Sequence, residues 1–273
     1  MRRLCALLIL GLISLAGFVS AHEAGLPGVA LDESIRHTTV LLVIVGSFGI
    51  AALIGIASLA RRSSKGRKSM LPSMVSYALF LSISATVIGV TAYVAGSTIY
   101  LNVAANSGGP VHWHADFEVW NCGQKVDLIS PEGFSNKVGS AVLHVHGDDR
   151  IHIEGVMLNH LDAGLGSFWG VVGGDLHGGL LAVPTNSGMV VMRDGDNCGS
   201  GRGVLQVFTW KAVDGRAVQE KLSNYVGYII SPYSQVPPGD CIIFEFDSEV
   251  KQKTERMCET YNVAIGNGDL NGG

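Results

Sequence analysis

The sequence predicts two transmembrane α-helices plus an extracytoplasmic, mainly-β (α+β) domain with one or two short helices. Three observations carry that prediction. Of 273 residues, 47% are hydrophobic and only 15% charged, and the apolar excess is concentrated in the first hundred. Two uncharged runs there are each long enough, at about 1.5 Å of rise per helical residue, to cross a hydrocarbon core of roughly 30 Å. From Gly108 onward the pattern changes to short alternating or β-branched runs separated by Gly, Pro, Asn and Asp.

The chain opens with "MRRLCALLILGLISLAGFVSA" (1–21), in which Arg2 and Arg3 precede a short apolar run and small residues lead up to Ala21. This reads as a signal peptide cut after Ala21, with an uncleaved anchor as the alternative. Residues 22–37 then form a short outer segment. "TTVLLVIVGSFGIAALIGIASLA" (38–60) is the first transmembrane helix and 71–101 holds the second, with Tyr93 and Tyr100 near one end, where amphipathic rings favour the interface. The loop between them, 61–70, contains "RRSSKGRK", with five basic residues and no acidic one. The positive-inside rule places that loop in the cytoplasm and residues 102–264 outside. Neither apolar run contains the ionisable residues that mark ion pathways within a bilayer, so the helices read as an anchor rather than a transporter.

Cysteine usage agrees with an outward-facing domain. Cys5 belongs to the signal, which leaves Cys122, Cys198, Cys241 and Cys258 beyond the last apolar run. In an oxidising compartment an even number reads as two disulfides. Four cysteines allow three pairings, and the nearness of Cys241 and Cys258 in sequence favours joining them and pairing Cys122 with Cys198. No CxxC spacing supports thiolate ligation of a metal.

Strands are expected at 112–120, 125–129, 142–146, 150–154, 180–183, 189–192, 204–210, 225–230 and 242–246, with "NCGQ" and "HGDDR" as hairpin turns. One helix is expected after Asp162 as N-cap, with Leu165, Phe168, Trp169 and Val172 at helical spacing and Gly173 as its stop. A second, polar helix is expected over 250–261. The tail 265–273, containing "GNGDLNGG", reads as disordered.

Five of the nine histidines fall in "HWHADFEVW" (112–120) and "LHVHGDDRIHIEG" (143–155). Successive strand side chains point to opposite faces. Trp113, Ala115, Phe117 and Val119 therefore oppose His112, His114, Asp116 and Glu118. Likewise Leu143 and Val145 oppose His144 and His146, and Ile151 and Ile153 oppose His152 and Glu154. With the apolar faces on a core, every imidazole lies on one side of the sheet. Strands about 4.8 Å apart would let those rings reach a common ion. The expected ligands are His112, His114, His144, His146 and His152, with Asp116, Glu118 and Glu154 orienting imidazoles through their second nitrogen. Such a ligand set suits a divalent metal, Cu or Zn, with Fe possible for two histidines and a carboxylate. The bland alternative is a solvated polar face on which histidine has no function.

The succession H-x-H, L-H-x-H-x-D and I-H-x-E, followed by a short Leu/Phe/Trp helix, resembles a widespread group of uncharacterised membrane-anchored proteins over residues 112–172. That resemblance implies location and a shared site but no reaction. "LHVHGDD" stands here where the group has "LHTHD", which leaves the choice between Asp148 and Asp149 open. His112, His114 and Glu118 also resemble the first motif of cupins, and "PPGDCIIFEF" the start of the second. The second motif's histidine is absent, since position 241 is cysteine. A fainter resemblance is to the copper subunit of particulate methane and ammonia monooxygenases. It implies that cleavage after Ala21 would expose His22 as a copper ligand.

No nucleophile with a partnered base and no phosphate-binding glycine loop is evident, and a net charge of -4 gives no case for nucleic acid. The expected partners are membrane lipid and a metal ion, and no motif names a protein partner. Three functional classes remain: a membrane-anchored extracytoplasmic metal-binding protein, a metal-dependent oxidoreductase or hydrolase of the envelope, and an interaction module with incidental histidines.

Overall fold

A computed structural model describes residues 27–63, 71–132, 136–199, 201–230, 237 and 239–272. The expected signal peptide, with Cys5 and His22, and residues 64–70 of the basic loop lie outside the described residues.

Two long helices come first, α1 (Pro27–Ser63) and α2 (Leu71–Ala104). Within them Ser34–Leu59 and Met74–Ala104 are long and apolar enough to cross a membrane, with mean hydropathies of 2.7 and 1.9. The first begins ahead of the expected boundary at residue 38, so Arg36 and His37 fall in its first turn. Only 6% and 0% of these segments is buried within the protein. They are therefore not core helices of the β domain, and their apolar surface needs another cover. The hydroxyls of Thr39, Ser58, Thr86 and Thr98 each donate to the carbonyl four residues earlier at 2.8 Å, which pairs them inside their own helix.

The β domain contains strands β1 (Pro110–Asn121), β2 (Gln124–Val126), β3 (Val138–Gly139), β4 (Leu143–Val145), β5 (Arg150–Val156), β6 (Asp175–His177), β7 (Leu180–Thr185), β8 (Gly188–Arg193), β9 (Asn197–Cys198), β10 (Gly201–Arg202), β11 (Val204–Val213), β12 (Arg216–Lys221) and β13 (Asp240–Asp247). Eight form a mixed sheet ordered β12-β11-β13-β1-β5-β4-β3, with β2 paired to β1; β6-β7-β8 and β9-β10 form two small sheets. The pairing of β1 with β13 is parallel. A 3-10 turn (His160–Ala163) leads into α3 (Leu165–Val171), and α4 (Glu259–Asn267) comes last.

Apolar alternation decides which way the central strands face. Ala115, Phe117 and Val119 of β1, Leu143 and Val145 of β4, and Ile151 and Ile153 of β5 are all buried in one core with Phe168 and Trp169 of α3. Phe117 meets both rings edge-on at 5.3 and 6.0 Å between centroids. Trp113 is only partly buried against this core. The opposite face is divided. Over β11 and β13 it is covered by a second core of Phe208, Cys241 and Ile243 under Tyr261, Ala264 and Leu270. Over β1, β5 and β4 it carries the histidines.

Both disulfides join the expected partners, Cys122 with Cys198 and Cys241 with Cys258. Cys122 and Gly123 make the β1–β2 turn at φ 49° and 84°, as the reading of "NCGQ" as a hairpin requires.

Four expectations need correction. The last helix is α4 rather than 250–261. Residues before Cys258 run over the sheet because side chains hold their backbone: Gln219 donates to Thr254 O and Trp210 to Arg256 O, both at 2.8 Å. The tail is ordered through residue 272. Leu270 is buried, and Asn271 O accepts from Ala217 N at 2.9 Å. Residues 225–230 form no strand; they run beside 163–166 through the isolated bridge of Gly164 with Ile229 and backbone bonds such as Leu165 N to Tyr228 O and Ile230 N to Ala163 O, both 3.0 Å. Asp162 is not the N-cap of a helix at 165; it is the third residue of the 3-10 turn, in a capping box with Asn159.

Candidate metal centre

The register of the central strands places the histidines. Strand β5 lies between β1 and β4, so His112 faces Glu154, His114 faces His152, and His152 in turn faces His144. Three imidazoles thus form a row across three strands. His146 sits just beyond β4 and closes on the row, its ring centroid 4.7 Å from that of His152 and 4.9 Å from that of His144. Gly239 helps set this edge. It has φ +77°, and a Cβ there would lie 1.7 Å from the carbonyl oxygen of His114, so only glycine allows the start of β13 to press against β1.

Among the described residues, His112, His114 and His152 each offer one ring nitrogen within 4.8 Å of the others, close enough to hold one metal ion. The Nε2 atoms of His112 and His114 are 3.0 Å apart. Two imidazoles bound tetrahedrally at about 2.0 to 2.1 Å would stand roughly 3.3 Å apart. For this pair the fit requires only a small side-chain movement, and the group as a whole, spread over up to 4.8 Å, would draw in further around an ion. His152 Nε2 lies 3.1 Å from Asp148 Oδ2, while its Nδ1 is buried with no hydrogen-bond partner. With the Nε2 proton given to Asp148, Nδ1 carries the free lone pair, the tautomer that a carboxylate–histidine–metal arrangement uses. Between Asp148 and Asp149, left open by the sequence, only Asp148 meets this ring. Asp149 pairs with Lys125 at 2.7 Å.

Not every residue expected on the face takes part. Asp116 is directly opposite Arg150, which donates to it through Nε at 2.6 Å, and the Thr260 hydroxyl also donates to it. Glu118 accepts from Trp120 Nε1 at 2.9 Å and neighbours Lys125 at 3.6 Å. Both carboxylates share the histidines' face but serve its other half. Glu154 stays with the site, 3.3 Å from His112 and 3.8 Å from His144. One partner carried no sequence signal: the carbonyl of Asn136, which accepts from His146 Nδ1 at 2.6 Å.

Burial favours the neutral form of two of these rings, His114 and His144. It lowers the pKa of His114, assisted by His152, His112 and Arg150, against a smaller upward pull from Glu154. His144, 1% exposed, is pushed down to about 4, chiefly by burial, with Lys137 adding to the effect. Burial pushes the Asp148 carboxyl up, but the His152 hydrogen bond and charge outweigh it and leave the group below its ordinary value. Neutral imidazoles can donate a lone pair to a metal at neutral pH.

The depressed His144 value has a stability consequence. Above pH 6.5 His144 is neutral in both folded and unfolded chains and contributes no pH dependence. Between 6.5 and about 4 the unfolded chain binds a proton that the folded one refuses. This one ring should therefore make the metal-free chain on the order of 3 kcal/mol less stable over that interval. Urea unfolding of wild type and His144→Asn at pH 7.5 and 4.5 checks this. The variant should lose less stability on acidification, and an identical loss in both would refute the assignment.

Comparison with protein-family models, curated proteins and solved structures found no match. The functional reading therefore rests on the site itself.

Proposed function

We propose that the chain is a membrane-anchored, extracytoplasmic metal-binding protein that holds copper or zinc on the histidine face of its β domain. The observation that carries this reading is the convergence of one nitrogen each from His112, His114 and His152 within 4.8 Å. Asp148 supports it by fixing the His152 tautomer, and the lowered His114 pKa supports it by keeping that ring neutral. Imidazole nitrogen without thiolate suits Zn and Cu(II). The side chain of His112 is 65% exposed, so one flank of the site is open to solvent. That opening suits ion exchange with a partner, and it also keeps the second reading in view, a metal-dependent oxidoreductase or hydrolase needing a free coordination position.

The test uses the full chain purified in detergent, stripped with a chelator and re-equilibrated with Zn(II) or Cu(II). Elemental analysis after gel filtration should find at least one tightly held ion, and His114→Ala or His152→Ala should remove it. Absence of metal, or uptake unchanged by both substitutions, would defeat the reading.

The two apolar helices and both disulfides support an anchor with the β domain in an oxidising compartment. In intact cells a membrane-impermeant thiol reagent should label a cysteine at Ser187, in the exposed β7–β8 turn, and spare one at Ser64. Labelling at both, or the reverse pattern, would contradict the orientation.

A further inference from the structure

We propose that the histidine face holds a second divalent ion between His144, His146 and Glu154, with the Glu154 carboxylate bridging it to the ion of the three-histidine group. The inference rests on the metal-binding reading above and extends it to a two-ion site.

Glu154 occupies the position between the two sets of rings. Its Oε1 is 3.3 Å from His112 Nε2, and its Oε2 is 3.8 Å from His144 Nε2. A carboxylate has two oxygens with about four lone-pair sites, so it can serve two ions at once. The 3.8 Å gap is too wide for a hydrogen bond. It is a span that one zinc or copper ion with bonds of about 2.0 to 2.2 Å to each side can bridge.

His144 gives the independent reason to place a ligand there. Its ring is 1% exposed, and its Nδ1 is buried with no hydrogen-bond partner. The other nitrogen, Nε2, faces Glu154 Oε2 across 3.8 Å with no hydrogen bond between them, so with the proton on Nδ1 it is Nε2 that presents its lone pair to an ion there. His146 is prepared in a different way. Its Nδ1 proton goes to the Asn136 carbonyl at 2.6 Å, which fixes the tautomer and leaves Nε2 free to bind an ion. The two rings lie 4.9 Å apart at an interplanar angle of 79°. His152, the first set's member on β5, adjoins the second, its ring 4.8 Å from His114 and stacked on His144 at 5.6 Å. Two ions sharing a carboxylate stand about 3.5 to 4 Å apart in two-metal centres, a distance comparable to the spacing of these strands.

The experiment counts Zn(II) bound per full-length chain in detergent, by elemental analysis after chelator stripping and re-equilibration. Wild type should hold two ions. His146→Asn, at a half-buried position where the fold is least at risk, should hold one, as should His144→Asn if it folds. Glu154→Gln, which keeps the shape of the side chain, should also lose the second ion and weaken the first by about 10- to 100-fold. One ion in wild type would overturn this proposal and leave the metal-binding reading standing. None would remove both. Two ions that persist in His146→Asn and Glu154→Gln would place the second ion elsewhere and overturn the assignment.

Discussion

Phe117→Ala should destabilise the folded chain by about 3 to 5 kcal/mol, the cost expected when a fully packed aromatic is truncated. Phe117 is 2% exposed and meets Phe168 and Trp169 edge-on, so the deletion opens a cavity between the central strand and the one helix packed beneath it. A domain typically has about 5 to 15 kcal/mol in total, so the substitution removes a large share. Trp113, on the same face but only partly buried, should cost less. Urea unfolding measures both. His114→Ala provides the contrast, because it should weaken the three-histidine group until its ion no longer survives gel filtration, while leaving the metal-free midpoint much closer to wild type. If Phe117→Ala unfolds at the wild-type midpoint, the packing described for β1 is wrong.

Removing the Cys122–Cys198 bridge should be comparably damaging. It closes 76 residues, for which the chain-entropy argument gives roughly 4.5 kcal/mol, against about 3 kcal/mol for the 17 residues closed by Cys241–Cys258. The long bridge ties the β1–β2 turn to β9, whereas the short one lies inside the second core. The double variant Cys122→Ala/Cys198→Ala should therefore lose more stability than Cys241→Ala/Cys258→Ala. Thiol counting on denatured, unreduced protein should find none of these four free. Four reactive thiols, or a stability unaffected by reductant, would remove the claim.

The histidine face was legible in the sequence because strand parity is local. Once Ala115, Phe117 and Val119 face a core, His112 and His114 must point the other way. Register is not local, and that is where expectation and structure part. Nothing in residues 143–156 says that β5 inserts between β1 and β4, so the His114–His152–His144 row and the pairing of Asp116 with Arg150 were hidden. Asp116 and Glu118 were expected beside the metal for the same reason: alternation identifies a face but not which half of it a neighbour covers. Strand β12 was missed although its turn was written in the chain, since Asp214 and Gly215 adopt φ 49° and 72° as a two-residue hairpin requires. Its sequence "RAVQEK" has little apolar alternation, as suits an edge strand. The helix expected at 250–261 failed because side chains from β11 and β12 engage that backbone, a tertiary effect with no local signature.

The central claim, that imidazoles from β1 and β5 meet on one ion, is tested most directly by X-ray absorption on the full-length chain loaded with one equivalent of Zn(II) or Cu(II). The account predicts a nitrogen shell at about 2.0 to 2.1 Å with the outer scattering of about three imidazole rings, reduced by one in His114→Asn. A shell of oxygen alone, or an imidazole count unchanged when His112 and His114 are both replaced, would contradict it.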